Sequence, residues 1–168
     1  MSDWSATVFL LARLDAGPSL GDLLGLCEEN FMHLRRLAPG LRDYPLGRLI
    51  SRCPGAVDLA LEIEAQAPYT TSLRLTHLFA ASAGHSEPDA RLRVYHDARQ
   101  VEILSLRQSI LPLRVGYAPP ALSDKWRANL FLSKWLQFCC SQGHGFAPTA
   151  LDRSSCAVPA DRLVRSPS

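Results

Sequence analysis

Between residues 57 and 107 apolar side chains recur at every second position, and this rhythm constrains the fold more than any other feature. In VDLALEIEA, residues 57–65, Val57, Leu59, Leu61 and Ile63 fall on one parity, while Asp58, Glu62 and Glu64 fall on the other. Successive side chains of a strand point to opposite faces, so the pattern describes a strand with one dry face and one wet face. YTTSLRLTHLF at 69–79, ARLRVYHDA at 90–98 and QVEILSLRQ at 100–108 repeat it, separated by turn and loop residues. ILPLRVGY at 110–117 adds a fifth candidate strand, and Pro112 assigns it to an edge.

An antiparallel sheet with one apolar face needs a cover, and the flanks supply it. Ser19 reads as an N-cap with Asp22 at the third helical position. Leu20, Leu23, Leu24, Cys27, Phe31 and Leu34 then recur at helical spacing until Ala-Pro-Gly at 38–40. At the other end Ser123 is a candidate cap. Ala128, Phe131, Leu132, Trp135 and Cys139 form the stripe, and Gly143 stands where a helix stops. The expected fold is α+β: an antiparallel meander of four to five strands covered on one face by an N-terminal and a C-terminal helix. Residues 19–146 form the domain, 1–18 an extension, and 147–168, poor in large apolar residues, a disordered tail.

The 18 basic and 16 acidic residues are spread along the chain, which disfavours a dedicated nucleic-acid binder. ATVFLLA at 6–12 is too short to span a bilayer and lacks a basic lead-in, so a cytoplasmic protein with no membrane association is expected. The five cysteines include no CxxC pair and read as reduced, packed thiols. The histidines at 33, 77, 85, 96 and 144 have no ligand spacing, and nucleotide-binding loops and hydrolase signatures are absent. No cofactor and no metal are expected.

The polar residues that need an explanation are few. Tyr95, His96 and Asp97 stand together, but on a strand neighbouring side chains diverge, so His96 and Asp97 are not expected to form a catalytic pair. With Leu92 and Val94 facing the core, His96 points toward the helices. In LCEENFMHLRRL, Glu28 and Arg35 lie on one line of the helix and Glu29, His33 and Arg36 on another. These are either a solvated face or guanidiniums presented to an anion. On the opposite face of the sheet, Glu62 and Glu64 are expected across from Arg74, Arg91 or Arg93.

LCEENFMHLRRLAPG, YTTSLRL, LRVYHDARQVEI and NLFLSKWLQFCCSQG occur in that order. Together they closely resemble the YqiB-like family of small proteobacterial proteins, a domain of unknown function, over about residues 20–145. Family-like positions include Cys27, Glu28, Asn30, Arg35, Arg36, Tyr69, Thr71, His96, Asp97 and Asn129, whereas His33, His77 and His144 fall outside the pattern. The resemblance implies no reaction. It links the family to nucleotide hydrolysis only through neighbouring genes.

These readings favour a non-catalytic domain that binds a small anionic ligand or a protein partner, with a homodimer among the expected assemblies. Glu28, Asn30, Arg35, Arg36, Tyr69, His96 and Asn129 are the candidate binding residues. An alternative is a phosphohydrolase or transferase in which Arg35 and Arg36 clamp phosphate and His96 or Glu28 serves as acid or base. A second alternative is an RNA-binding sheet face with Tyr95, Arg91 and Arg93.

Overall fold

A computed structural model describes residues 18–79, 86–108 and 122–148. Helix α1 spans Leu20–Leu37 and is followed by a 3-10 turn at Leu41–Asp43. Five strands come next: β1 Gly47–Ser51, β2 Asp58–Gln66, β3 Thr70–Leu78, β4 Asp89–Tyr95 and β5 Gln100–Arg107. Helix α2, Leu122–Ser141, completes the described elements. The sheet is an antiparallel meander in the order β1-β2-β3-β4-β5, and the two helices pack on each other and on β5.

The capping box forms as the sequence predicts. Asp22 N–H donates to Ser19 Oγ at 3.1 Å, and Ser19 N–H donates to the Asp22 carboxylate at 3.0 Å. The buried stripe of α1 is turned from the expected one. Leu23, Leu26, Cys27, Asn30, Leu34 and Leu37 are buried, while Leu20 and Leu24 are exposed. The helix meets α2 as well as the sheet, so its dry arc follows two neighbours. α2 is already helical at Leu122, which puts Ser123 inside the helix instead of at its cap. Gly143 ends it with a positive φ of 87°.

The core lies between the helices and one face of the sheet. Leu59, Leu61 and Ile63 of β2, Leu73 and Leu75 of β3, and Leu92 and Val94 of β4 are almost fully buried there with Leu132 and Leu136 of α2. Each such side chain contributes roughly 1.5–3 kcal/mol by leaving water. On the other face Glu62 sits across from Arg74, and Arg91 Nε donates to Glu64 at 3.0 Å. Asp89 accepts from Arg74, Arg107 and Thr76. Burial would raise its pKa, but the bonds from Arg74 and Thr76 hold it below the ordinary carboxylate value.

One strand was not foreseen. β1 buries only Leu49 and Ser51, so its alternation is too short to read, and it takes an edge beside β2. The candidate strand at 110–117 lies outside the described residues. So do residues 1–17, most of the N-terminal extension, and 149–168, most of the tail.

Candidate functional site

The site begins with an irregularity in β2. Register shifts between Ile63 and Ala65, a β-bulge that gives the strand one extra residue. Beyond it the parity inverts. Gln66, even-numbered, shares the helix-facing side with the odd-numbered Leu59, Leu61 and Ile63, opposite Thr71. The Gln66 amide is oriented by two backbone carbonyls: Nε2 donates to Leu41 O at 2.9 Å and to Tyr44 O at 3.1 Å. Its Oε1 is therefore the acceptor, and the buried Thr71 hydroxyl donates to it at 2.5 Å.

Thr71 has one proton, already given to Gln66. Its oxygen lies 2.7 Å from His96 Nε2, so that nitrogen must be the donor. The chain of bonds sets the imidazole as the Nε2–H form, with Nδ1 carrying the lone pair. His96 itself sits just past β4, in the His96–Arg99 turn, and its N–H donates to Tyr69 O at 2.9 Å. Burial, and then the Arg42 guanidinium, hold His96 below its ordinary pKa against the opposing pull of Asp97. Asp97 is exposed, and the ring is bonded to Thr71, not to it. The expected separation of the two therefore holds.

The His96 ring lines a cleft of about 170 Å³ between α1, the turn after it and the sheet. Phe31, Leu34, Leu41 and Val94 supply its apolar wall, and Arg35 and Arg42 its cations. Gly40 makes the turn possible. Its φ of 70° is a left-handed conformation that swings the chain from α1 into the 3-10 turn bearing Arg42. Arg42 Nη2 donates to Pro68 O at 2.7 Å, which ties this turn to the β2–β3 hairpin. A larger depression of about 360 Å³ lies between α1 and α2, past Gly21, Gly25 and Trp126. Its Glu29 carboxylate is already engaged by Ser133 at 3.1 Å and His33 at 3.3 Å. The smaller cleft is the better candidate because a fixed imidazole opens into it.

Of the seven residues singled out by sequence, the fold brings Arg35 and His96 into this one cleft. Tyr69 is exposed on the β2–β3 turn and contributes its carbonyl to His96. Glu28 and Arg36 are exposed on α1 and do not line the cleft. Asn30 and Asn129 are buried between the helices, where Asn30 Nδ2 donates to Asn129 O at 3.1 Å. Asn30 Oδ1 is buried without a partner among the described residues. Sequence reasoning missed Gln66, Thr71 and Arg42. Thr71 carried a signal, a polar residue on the parity of Leu73 and Leu75. Gln66 carried none, because the bulge changes its face.

The thiols read as packed groups. Burial, and secondarily Glu102, push Cys27 up to about 11; burial, and secondarily Cys140, push Cys139 up to about 12. Cys27, Cys53, Cys139 and Cys140 are all free. No group of three or more metal-ligating side chains occurs among the described residues. No helix among them is long and apolar enough to cross a membrane.

Comparison with known proteins gives a family and no activity. The family described as protein of unknown function (DUF1249) matches residues 33–145. The chain belongs to this family. It is 31% identical over 131 residues to the uncharacterized protein YqiB of Escherichia coli strain K12, an alignment that covers 75% of this chain and 91% of that protein. The YqiB of Escherichia coli O157:H7 matches to the same extent. No solved structure matches. For a DUF1249 protein, then, any assignment of function rests on the chemistry of the site.

Proposed function

We propose that this is a non-catalytic domain that binds a small anionic ligand in the cleft lined by Arg35, Arg42 and His96. The observation that carries the reading is the Gln66–Thr71–His96 chain. Two polar groups, half-buried Gln66 and buried Thr71, hold one imidazole in one orientation beside two guanidiniums and an apolar wall. Small-molecule sites commonly combine apolar walls with a few fixed polar groups in this way. An acid–base hydrolase would need a carboxylate within reach of His96. Among the described residues none lines the cleft, and Glu28 lies elsewhere on α1. The RNA reading is also less favoured, because Arg91 is engaged by Glu64 and the Tyr95 hydroxyl donates to Glu102.

Protein-observed NMR against a panel of small carboxylates and phosphates tests the proposal. Shift changes should cluster at Phe31, Arg35, Arg42 and His96, and Arg35→Ala should weaken them about tenfold, the effect of losing one charge-assisted bond. Changes confined to other surfaces, or none at all, would remove the reading. A cytoplasmic location and a protein partner or second copy on the exposed helix surface belong to the same proposal. Cell fractionation and light scattering check them.

A further inference from the structure

We infer that the ligand of this cleft carries two groups: an anion for Arg35 and Arg42, and a hydroxyl or amine that donates a hydrogen bond to His96 Nδ1. The inference rests on the ligand-binding reading and narrows it to a chemical class. The proton inventory points to it. The Gln66 amide must give its N–H groups to Leu41 O and Tyr44 O, so its oxygen takes the Thr71 proton. The Thr71 oxygen then takes the proton of His96 Nε2. What remains for a ligand is the second ring nitrogen, an acceptor with no partner among the described residues.

A bare carboxylate or sulfate oxygen set against that nitrogen would leave two lone pairs facing each other. Adding a proton to the ring would relieve this, but burial and the neighbouring Arg42 oppose it, and exposed Asp97 favours it only weakly. A donor on the ligand satisfies the nitrogen without charging the ring. The apolar wall of Phe31, Leu34 and Val94 accommodates a short hydrocarbon body that carries the two polar groups. Hydroxy acids and amino acids with small apolar side chains fit this description, as do compact phosphorylated alcohols that retain a free hydroxyl.

The experiment uses the full chain and a matched pair of probes, 2-hydroxy-4-methylpentanoate and 4-methylpentanoate, which differ by one hydroxyl. Inorganic sulfate, which carries no proton at neutral pH, serves as a third probe. Affinities come from NMR titration at pH 7, and long-range proton–nitrogen spectra report which ring nitrogen of His96 is protonated. The hydroxy acid should bind about tenfold more tightly than its partner, the effect of one well-made hydrogen bond. His96→Phe should abolish that difference while both acids still bind. In the unliganded protein Nε2 should carry the proton. Equal affinities of the two acids at the cleft would overturn this inference and leave the anion-binding reading standing. So would binding of sulfate with neither acid. A proton on Nδ1 would overturn it even if the variant failed to fold. No response of cleft residues to any probe would overturn both.

Discussion

His77 and His96 sit at opposite ends of the sheet face that meets the helices, and the fold treats them in opposite ways. His77, on β3, is 5% exposed and packed edge-on against Trp135, Phe79 and Phe138. Trp135 Nε1 donates to its Nδ1 at 3.4 Å, Cys139 Sγ lies 3.8 Å from its Nε2, and the His144 ring lies tilted beside it at 6.3 Å. Both nitrogens are occupied and nothing is left to offer. At the other end Thr71, also on β3, holds one nitrogen of His96, which lines the cleft, and the second has no partner among the described residues. Same residue type, same face, different neighbours: aromatics close one end, while a glutamine and a threonine keep the other polar and open. A buried histidine is a structural group when both of its nitrogens are spoken for, and a candidate site when one is not.

The largest way to break this contrast is at the closed end. Trp135→Ala removes a buried aromatic and the donor to His77 together. It should cost about 3–5 kcal/mol in urea unfolding, the range for large aromatic truncations. A loss below about 1 kcal/mol would mean the aromatic end is not a packed core.

The pH dependence of stability sharpens the same contrast. Burial, and then His144, push His77 from its ordinary 6.5 down to about 4. Between those values the unfolded chain binds a proton that the native state refuses, so this contribution is complete above about pH 6.5 and declines as pH falls toward 4. The loss should be on the order of 3 kcal/mol. His144, also held below its ordinary value by burial, works in the same direction. His77→Gln should flatten the slope measured by denaturant titration across this window. An unchanged slope would show that His77 is not the proton-refusing group.

At the open end the expected effect is smaller. Thr71→Val leaves Gln66 Oε1 and His96 Nε2 without a buried partner, at about 1–3 kcal/mol. It also frees the imidazole to exchange tautomers, which nitrogen NMR reads directly. A single Nε2–H form surviving in Thr71→Val would show that something other than this threonine orients the ring.

These two ends were not equally legible in the sequence. The meander and its helix cover follow from alternation in 57–107 and from the capped helix at Ser19, because burial of one face imposes a period that local residues record. The separation of His96 from Asp97 was expected from the same period but has another cause, because both lie in the turn after Tyr95 and Thr71 holds the ring. What alternation cannot show is where it slips. The β2 bulge turns Gln66 inward without any change of residue type, so half of the support for His96 was invisible. The rotation of α1, which exposes Leu20 and Leu24 and buries Asn30, depends on where α2 lies, and no local pattern encodes that. Residues whose position depends on one element were foreseen; those that depend on two were not.

The smallest effect probes the turn that delivers His96. Arg99 closes the β4–β5 hairpin with a φ of 54°, a left-handed conformation in which a side chain costs about 1 kcal/mol. Glycine relieves that strain but frees the unfolded chain, which returns most of the gain, so Arg99→Gly should raise stability by less than about 1 kcal/mol. The side chain also reaches α1, where Nη2 lies 3.6 Å from Met32 Sδ. Should this weak, exposed contact anchor the hairpin against the helix, Arg99→Gly would destabilise instead and the His96 resonances would shift with it. Arg99→Ala separates the two effects: it keeps the strain and deletes the contact. If the alanine variant loses about 0.5 kcal/mol or less and His96 stays put, the hydrogen bonds that His96 donates to Thr71 and Tyr69, not the arginine, hold the imidazole at the cleft.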